Sequence, residues 1–193
     1  MAPRDTSIAI IGGGIGGLTA AVSLLQAGFD VQVYEQSRLL SEVGAGINIG
    51  PNAARLLIQL GLGEECAKVA YRSPFFHQRR WDDGRTLTKT PLGEAIAKEF
   101  GAPHMIFHRG ELHALLAKAV PTERVHLAHR CINVEQNTDG VTATFENGVK
   151  ALLAHIHGDP ALARMRPPLA PFSAGDRAAA VAGYDQVRGK RVA

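Results

Sequence analysis

Residues 8–35 read IAIIGGGIGGLTAAVSLLQAGFDVQVYE, and the placing of the glycines in this stretch decides the fold. Ile8, Ile10 and Ile11 form a short apolar run of the kind a buried parallel strand needs. Gly12, Gly14 and Gly17 follow at G-x-G-x-x-G spacing, with two more glycines at Gly13 and Gly16. Leu18, Ala21, Val22 and Leu25 then recur at helical spacing, and Gly28 suits a helix C-terminus. Val31 and Val33 alternate with polar residues in a second strand ending at Tyr34-Glu35. Strand, glycine turn, helix, strand and acid stand in register, the acid 18 residues after the last motif glycine.

Each residue type has a mechanical reason. Gly12 permits a tight turn, Gly14 lets the backbone approach a pyrophosphate, and Gly17 lets helix and strand pack closely. Unpaired N–H groups and the positive end of the helix dipole hold phosphate charge. Glu35 can accept hydrogen bonds from both hydroxyls of an adenosine ribose and would repel a 2′-phosphate, so NAD or FAD is expected rather than NADP. A lone G-x-G-x-x-G arises by chance; the ordered series does not. The uncharged run from Thr6 to Phe29 also invites comparison with a membrane span or a signal peptide. Six glycines, a β-branched start, a following strand and the lack of a cleavage site speak against both.

The remaining composition is that of a globular chain long enough for one domain core or part of a larger one. Fifteen basic and fifteen acidic residues occupy positions 1–150, and six and three occupy 151–193, so the whole net charge of +3 lies in the last 43 residues. Two distant cysteines, Cys66 and Cys131, make neither a disulfide framework nor a metal pattern, and a reducing cytoplasmic setting is expected. Arg79, Arg80 and Trp81 pair basic and aromatic side chains, but Asp82 and Asp83 neutralise them. A solvated hairpin is therefore expected there rather than a nucleic-acid surface.

In chain order, Gly44 to Gly50 reads as a glycine loop able to approach a ligand. Pro51 opens a helix carrying Ala53, Leu56, Leu57 and Leu60 on one face, closed by Gly61. Glu64 to Val69 adds a helical turn. Phe76–Trp81 and Arg85–Thr90 read as a hairpin around Asp83-Gly84. Leu92, Ile96 and Phe100 are spaced for a helix, and Met105–Phe107 for a buried strand. His108-Arg109-Gly110-Glu111-Leu112-His113 then leads into an amphipathic helix stopped by Pro121. Arg109 stands at the strand–helix junction, where a fixed cation can reach a phosphate or a flavin edge. His113 flanks the apolar face and reads as structural. Val125–Leu127, Arg130–Val134 and Val141–Phe145 read as strands, with Asn147-Gly148 starting a further hairpin. From Ala151 the chain turns rich in Ala, Arg and Pro, with only a weak helix pattern at Arg177–Tyr184. This is the composition of a linker, a disordered tail or an out-of-frame segment.

With these motifs in hand, residues 7–150 resemble the N-terminal part of class A flavoprotein monooxygenases, the para-hydroxybenzoate hydroxylase-like group. Within it, the salicylate hydroxylase and 6-hydroxynicotinate 3-monooxygenase branch is the most similar; Thr90-Pro91-Leu92-Gly93-Glu94 and Phe100-Gly101-Ala102 resemble the hydroxynicotinate enzymes. The resemblance implies an α/β fold: a Rossmann-like FAD-binding domain over 1–150, interrupted by antiparallel strands and incomplete at its C-terminus. An atypical tail, 151–193, follows.

The resemblance also implies FAD as cofactor, NAD(P)H and O2 as co-substrates, and a small aromatic hydroxy acid as substrate, hydroxylated with or without loss of CO2. No metal, nucleic acid or membrane partner is implied, and the oligomeric state is left open. Gly12, Gly14, Ile15, Gly16 and Gly17 would hold the pyrophosphate, and Glu35 with Gln36 the adenosine ribose. Arg109 would contact the FAD, Asn48 would stand where the glycine loop nears flavin and substrate, and Cys131 would border the adenine end. Hydroxynicotinate-type members carry a His where this chain has Asn48, which fits a salicylate-like acid as well. The family's G-A-D-G signature is missing after the hairpin near residue 150, and Gly158-Asp159-Pro160 echoes its later G-D motif only faintly. A truncated or frameshifted chain, weak or inactive alone and with no nameable catalytic side chain, is the expectation. The rival readings are an NAD-linked dehydrogenase and a non-enzymatic nucleotide-binding remnant.

Overall fold

The computed structural model describes residues 7–40, 44–136 and 140–154, all within the unit Met1–His155. The weak helix read at Arg177–Tyr184 and the Gly158-Asp159-Pro160 echo lie outside the described residues.

Strand β1 (Ser7–Ile11) runs into a turn at Gly12, and helix α1 (Ile15–Gln26) starts three residues later. Leu18, Ala21 and Val22 form the buried face of α1. Gly28, at φ 84°, ends the helix: its N–H donates to Leu25 O, and the Phe29 N–H donates to Leu24 O. That left-handed turn suits glycine and returns the chain into β2 (Asp30–Tyr34). Strands β1 and β2 pair in parallel from Ser7–Asp30 to Ile11–Tyr34. On the far side of β2, the short β7 (Val125–His126) also pairs in parallel, giving the order β1-β2-β7.

Between β2 and β7 the chain makes the two-stranded antiparallel sheet of β3 (Gly46–Ile49) and β6 (Met105–His108). Helices α2 (Pro51–Gln59) and α3 (Gly63–Val69) follow β3. The hairpin β4 (Phe75–Arg79) and β5 (Thr86–Pro91), exposed along its whole length, and α4 (Gly93–Phe100) precede β6. Helix α5 (Arg109–Lys118) packs against α1. The side chains of Leu18, Val22, Val31, Val33, Leu112 and Leu116 are all buried and make the core of the β-α-β unit. A three-stranded antiparallel sheet of β8 (Cys131–Gln136), β9 (Gly140–Phe145) and β10 (Lys150–Ala154) completes the described chain. There Ala143, Phe145 and Ala151 form a small second core with Tyr34 and Cys131 packed against it. This mixed α/β architecture is the expected one.

Local readings depart from the structure in four places. Gly46–Ile49 is a strand rather than a loop, because its partner β6 lies some sixty residues away and no local pattern announces the pairing. β1 is not fully buried: Ile8 and Ile10 are half-covered and Ile11 is 49% exposed, because the described residues leave the face at the end of the strand uncovered. Helix α2 buries Ala54 and Leu57, so its inner face is rotated from the one read through Ala53. Strand β4 ends at Arg79 after a register shift, leaving Trp81 95% exposed in the turn. The compositional break at Ala151 falls inside β10.

One polar cluster ties the sheet together at its lower end. Asp30 accepts hydrogen bonds from Arg124 and from Ser7 Oγ (2.9 Å). The Arg124 hydrogen bond, and then that of Ser7, hold the Asp30 carboxyl below its ordinary value. A depressed folded-state pKa contributes stability that is present above the unfolded value, about 4, and lost as pH falls through the folded value. Both side chains are over one-third exposed, so screening limits the effect to below about 1 kcal/mol. The urea midpoint is therefore expected to fall between about pH 5 and pH 3, and Arg124→Gln should reduce that fall. An identical pH dependence in the variant would remove the pair from the account.

Candidate dinucleotide site

The site grows from the bend between β1 and α1. Gly12 sits at φ 109°, and its N–H donates to Tyr34 O at 2.8 Å, which ties the turn to the end of β2. Gly14 is the N-cap of α1, in an extended conformation with no side-chain cap. By helix geometry the first N–H groups of α1 have no intrahelical acceptor, so they and the helix dipole present positive charge at the mouth of the bend. Gly17 faces the other way: a Cβ there would lie 1.9 Å from Gly12 O and 3.3 Å from the Ile10 side chain. Gly16, by contrast, is exposed, and a Cβ on it would meet nothing within 4 Å. The glycines thus divide between turn, close packing and an open approach.

Glu35 leaves the tip of β2 with its carboxylate turned back to this loop. One oxygen accepts the Gly13 N–H at 2.6 Å and the other the Ser37 N–H at 2.8 Å. Partial burial pushes the carboxyl up, but the amide hydrogen bonds of Ser37 and Gly13 outweigh it and hold Glu35 below the ordinary carboxylate range. Its backbone is fixed on both sides, since Glu35 N–H donates to His126 O and Glu35 O accepts from His129 N–H. The preceding Tyr34 ring stacks on His126 at 4.8 Å and on Phe145 at 4.6 Å. Burial, with His129 alongside, lowers the His126 pKa, which favours its neutral form in this stack.

Beyond Glu35, Gln36 is exposed and lines a polar recess of about 380 Å³ with Ser37, Arg38, Ala128, Arg130 and Glu146. Cys131 lies at the start of β8 against the second core, its thiol directed to Asn133 O. Arg109 opens α5; its N–H donates to Ala45 O, and its side chain runs past Gly44, where a Cβ would come within 3.0 Å of it. Asn48 is an exposed residue of β3, opposite Ile106. The structure therefore gathers Gly12–Gly17 and Glu35 directly, and Arg109 with the Gly44 segment. Gln36 and Cys131 flank the tip of β2.

His113 is the residue whose role the sequence understates. It lies on the buried side of α5, with Nε2 2.7 Å from Gly13 O, 100 positions away in sequence. Its i, i+4 spacing from Arg109 was the available signal, because it puts the two on one helix face. Both cysteines are free, and burial raises the Cys66 thiol, so no thiolate chemistry is built there. Among the described residues no cluster of metal ligands occurs, and no helix is long and apolar enough to cross a membrane.

The FAD binding domain family model matches residues 5–156. A 3-amino-4-hydroxybenzoate 2-monooxygenase of Streptomyces platensis is 45% identical over 141 residues, which is 73% of this chain and 36% of that protein. A 6-hydroxynicotinate 3-monooxygenase of Pseudomonas fluorescens is 38% identical over 145 residues, 75% of this chain and 38% of that protein. Among solved structures, Klebsiella pneumoniae HpxO complexed with FAD and uric acid superposes with a TM-score of 0.67 at 29% identity, covering 77% of this chain and 37% of that one. The chain spans a little over a third of the length of the curated relatives it matches. It belongs to the FAD binding domain family, and the relatives it matches over that domain are aromatic monooxygenases.

Proposed function

We propose that this chain supplies the FAD-holding part of a monooxygenase that hydroxylates a small aromatic hydroxy acid, with NAD(P)H and O2 as co-substrates. The observation that carries the reading is the glycine bend with Glu35 folded over it. An uncapped helix start offers N–H groups, and an ionised carboxylate stands beside it. The residues present fit the diphosphate and ribose of FAD. The amides at Gly14, Ile15 and Gly16 take the diphosphate, and the bare Cα of Gly16 leaves room for it. Glu35 exchanges part of its amide contacts for the ribose hydroxyls. Gln36 and the Cys131 backbone border the adenine end, while Arg109 and Asn48 lie toward the flavin end.

Reduction by NAD(P)H and activation of O2 are the chemistry that FAD supplies when bound. The chain's own part is to hold, orient and electrostatically balance it. Two of the relatives named above are named for hydroxylated aromatic acids, 3-amino-4-hydroxybenzoate and 6-hydroxynicotinate, and this supports the same class here.

A visible absorption spectrum of the purified chain, with and without added FAD, tests the reading. Retained or reconstituted yellow flavin absorbance is the expected outcome. Binding of NAD with no flavin retention would replace it with a nicotinamide-linked dehydrogenase. Substrate class is then read from NAD(P)H oxidation stimulated by 3-hydroxybenzoate, 3-amino-4-hydroxybenzoate, 6-hydroxynicotinate or salicylate.

A further inference from the structure

Among the described residues, His113 is the one buried polar or charged side chain, at 3% exposure. A buried imidazole is costly unless it is hydrogen-bonded, and its partner is the carbonyl of Gly13, in the middle of the glycine loop. A carbonyl only accepts, so Nε2 carries the proton and His113 is the donor. In a trans peptide the C=O of one residue and the N–H of the next point in opposite directions, and the described chain has no cis bond. Drawing Gly13 O toward α5 therefore aims the Gly14 N–H outward, to the mouth of the bend.

The neighbouring groups of the loop are held by other means. Gly12 N–H is held by Tyr34 O, Gly13 N–H by Glu35, and Gly14 O by Leu18 N–H. The peptide between Gly13 and Gly14 is flanked by two residues lacking Cβ, so it can rotate at little steric cost. If it flipped, it would present a carbonyl oxygen to a diphosphate. We propose that His113 is a positioning residue of the dinucleotide loop: its Nε2–H latches the Gly13–Gly14 peptide in the orientation that offers the Gly14 N–H to a diphosphate. Helix α5 thus carries a cation at Arg109 and, one turn later on the same face, the latch that sets the phosphate loop.

This inference rests on the FAD reading, and the test separates the two. His113→Leu, His113→Gln and His113→Asn would be made in the full chain. Affinity for FAD, ADP and adenosine would be measured by fluorescence titration and calorimetry, and amide hydrogen exchange of the segment 10–18 followed without ligand. The Leu variant should bind FAD and ADP about tenfold or more weakly (the loss of one hydrogen bond to a charged ligand) while its adenosine affinity is kept. Its segment 10–18 should exchange faster while the segment 30–34 does not. Gln, whose amide nitrogen reaches the place of Nε2, should restore both properties; Asn, which is shorter, should not.

If the wild type binds neither FAD nor ADP, the FAD reading falls, and the exchange data alone decide the latch. Equal FAD binding in wild type and Leu variant overturns the latch. So does equal weakening of FAD, ADP and adenosine, or unchanged exchange in segment 10–18. Should the Leu variant fail to fold, the contrast between Gln and Asn decides, and indistinguishable behaviour of those two overturns the proposal.

Discussion

Gly17→Ala is expected to destabilise the chain by about 3 kcal/mol or more, at the upper end of what overpacking costs, and to abolish flavin retention. A methyl group at this position would lie 1.9 Å from the Gly12 carbonyl oxygen, which is backbone and cannot rotate away. Helix α1 would have to move off β1 by more than 1 Å (a van der Waals contact needs about 3.5 Å). Leu18, Ala21 and Val22, which it buries, would lose their packing. Against a total stability of about 5–15 kcal/mol, such a loss is large, and urea unfolding followed by circular dichroism measures it. Gly16→Ala is the matching control. Its Cβ meets nothing and replaces a helical glycine, so stability should stay level or rise by up to about 1 kcal/mol. Flavin affinity should nonetheless drop, because the methyl group projects where the diphosphate approaches. If Gly17→Ala unfolded at the wild-type urea concentration, the close-packing account of the motif would be wrong.

Glu35→Ala should weaken FAD about 10- to 100-fold, the equivalent of one or two charge-assisted hydrogen bonds. FMN, which has no adenosine, should bind as it does to the wild type. The loss comes from the ribose acceptor, which the alanine side chain cannot replace. Glu35→Gln keeps an acceptor oxygen without the charge and should fall between the two. Because the amide hydrogen bonds of Ser37 and Gly13 hold the Glu35 pKa below the ordinary range, its contribution to affinity is present at neutral pH. It should decay only as pH drops below about 4. Fluorescence titration with FAD and FMN from pH 7 to pH 3 measures this. An equal loss for both flavins would detach Glu35 from the adenosine end.

What could be read in the sequence was what local chemistry dictates. Gly12 at φ 109°, Gly28 at φ 84° and the Gly17 contact all lie within one β-α-β unit, whose strand, turn and helix signals are contiguous. The hairpins at Gly84 and Gly148, the helix opened by Pro51 and the helix stopped before Pro121 follow from turn and proline chemistry in the same way. Strand β3 escaped because a four-residue, glycine-containing strand carries no pattern of its own; its extended form is imposed by hydrogen bonds to β6. The exposure of Ile11 escaped for a related reason, since an apolar run announces a strand but not whether another layer covers it.

The amino-acid sequence by itself determined the glycine bend between strand and helix, the acid at the end of the second strand and the family to which they belong. These depend on residue types at short, invariable spacings. The tertiary structure alone decided that Glu35 closes back on Gly13, that Tyr34 is clamped between His126 and Phe145, and that His113 reaches Gly13 from 100 positions away. Each of those is a contact between segments that only burial of a shared core brings together, and no local periodicity encodes which buried atom will meet which.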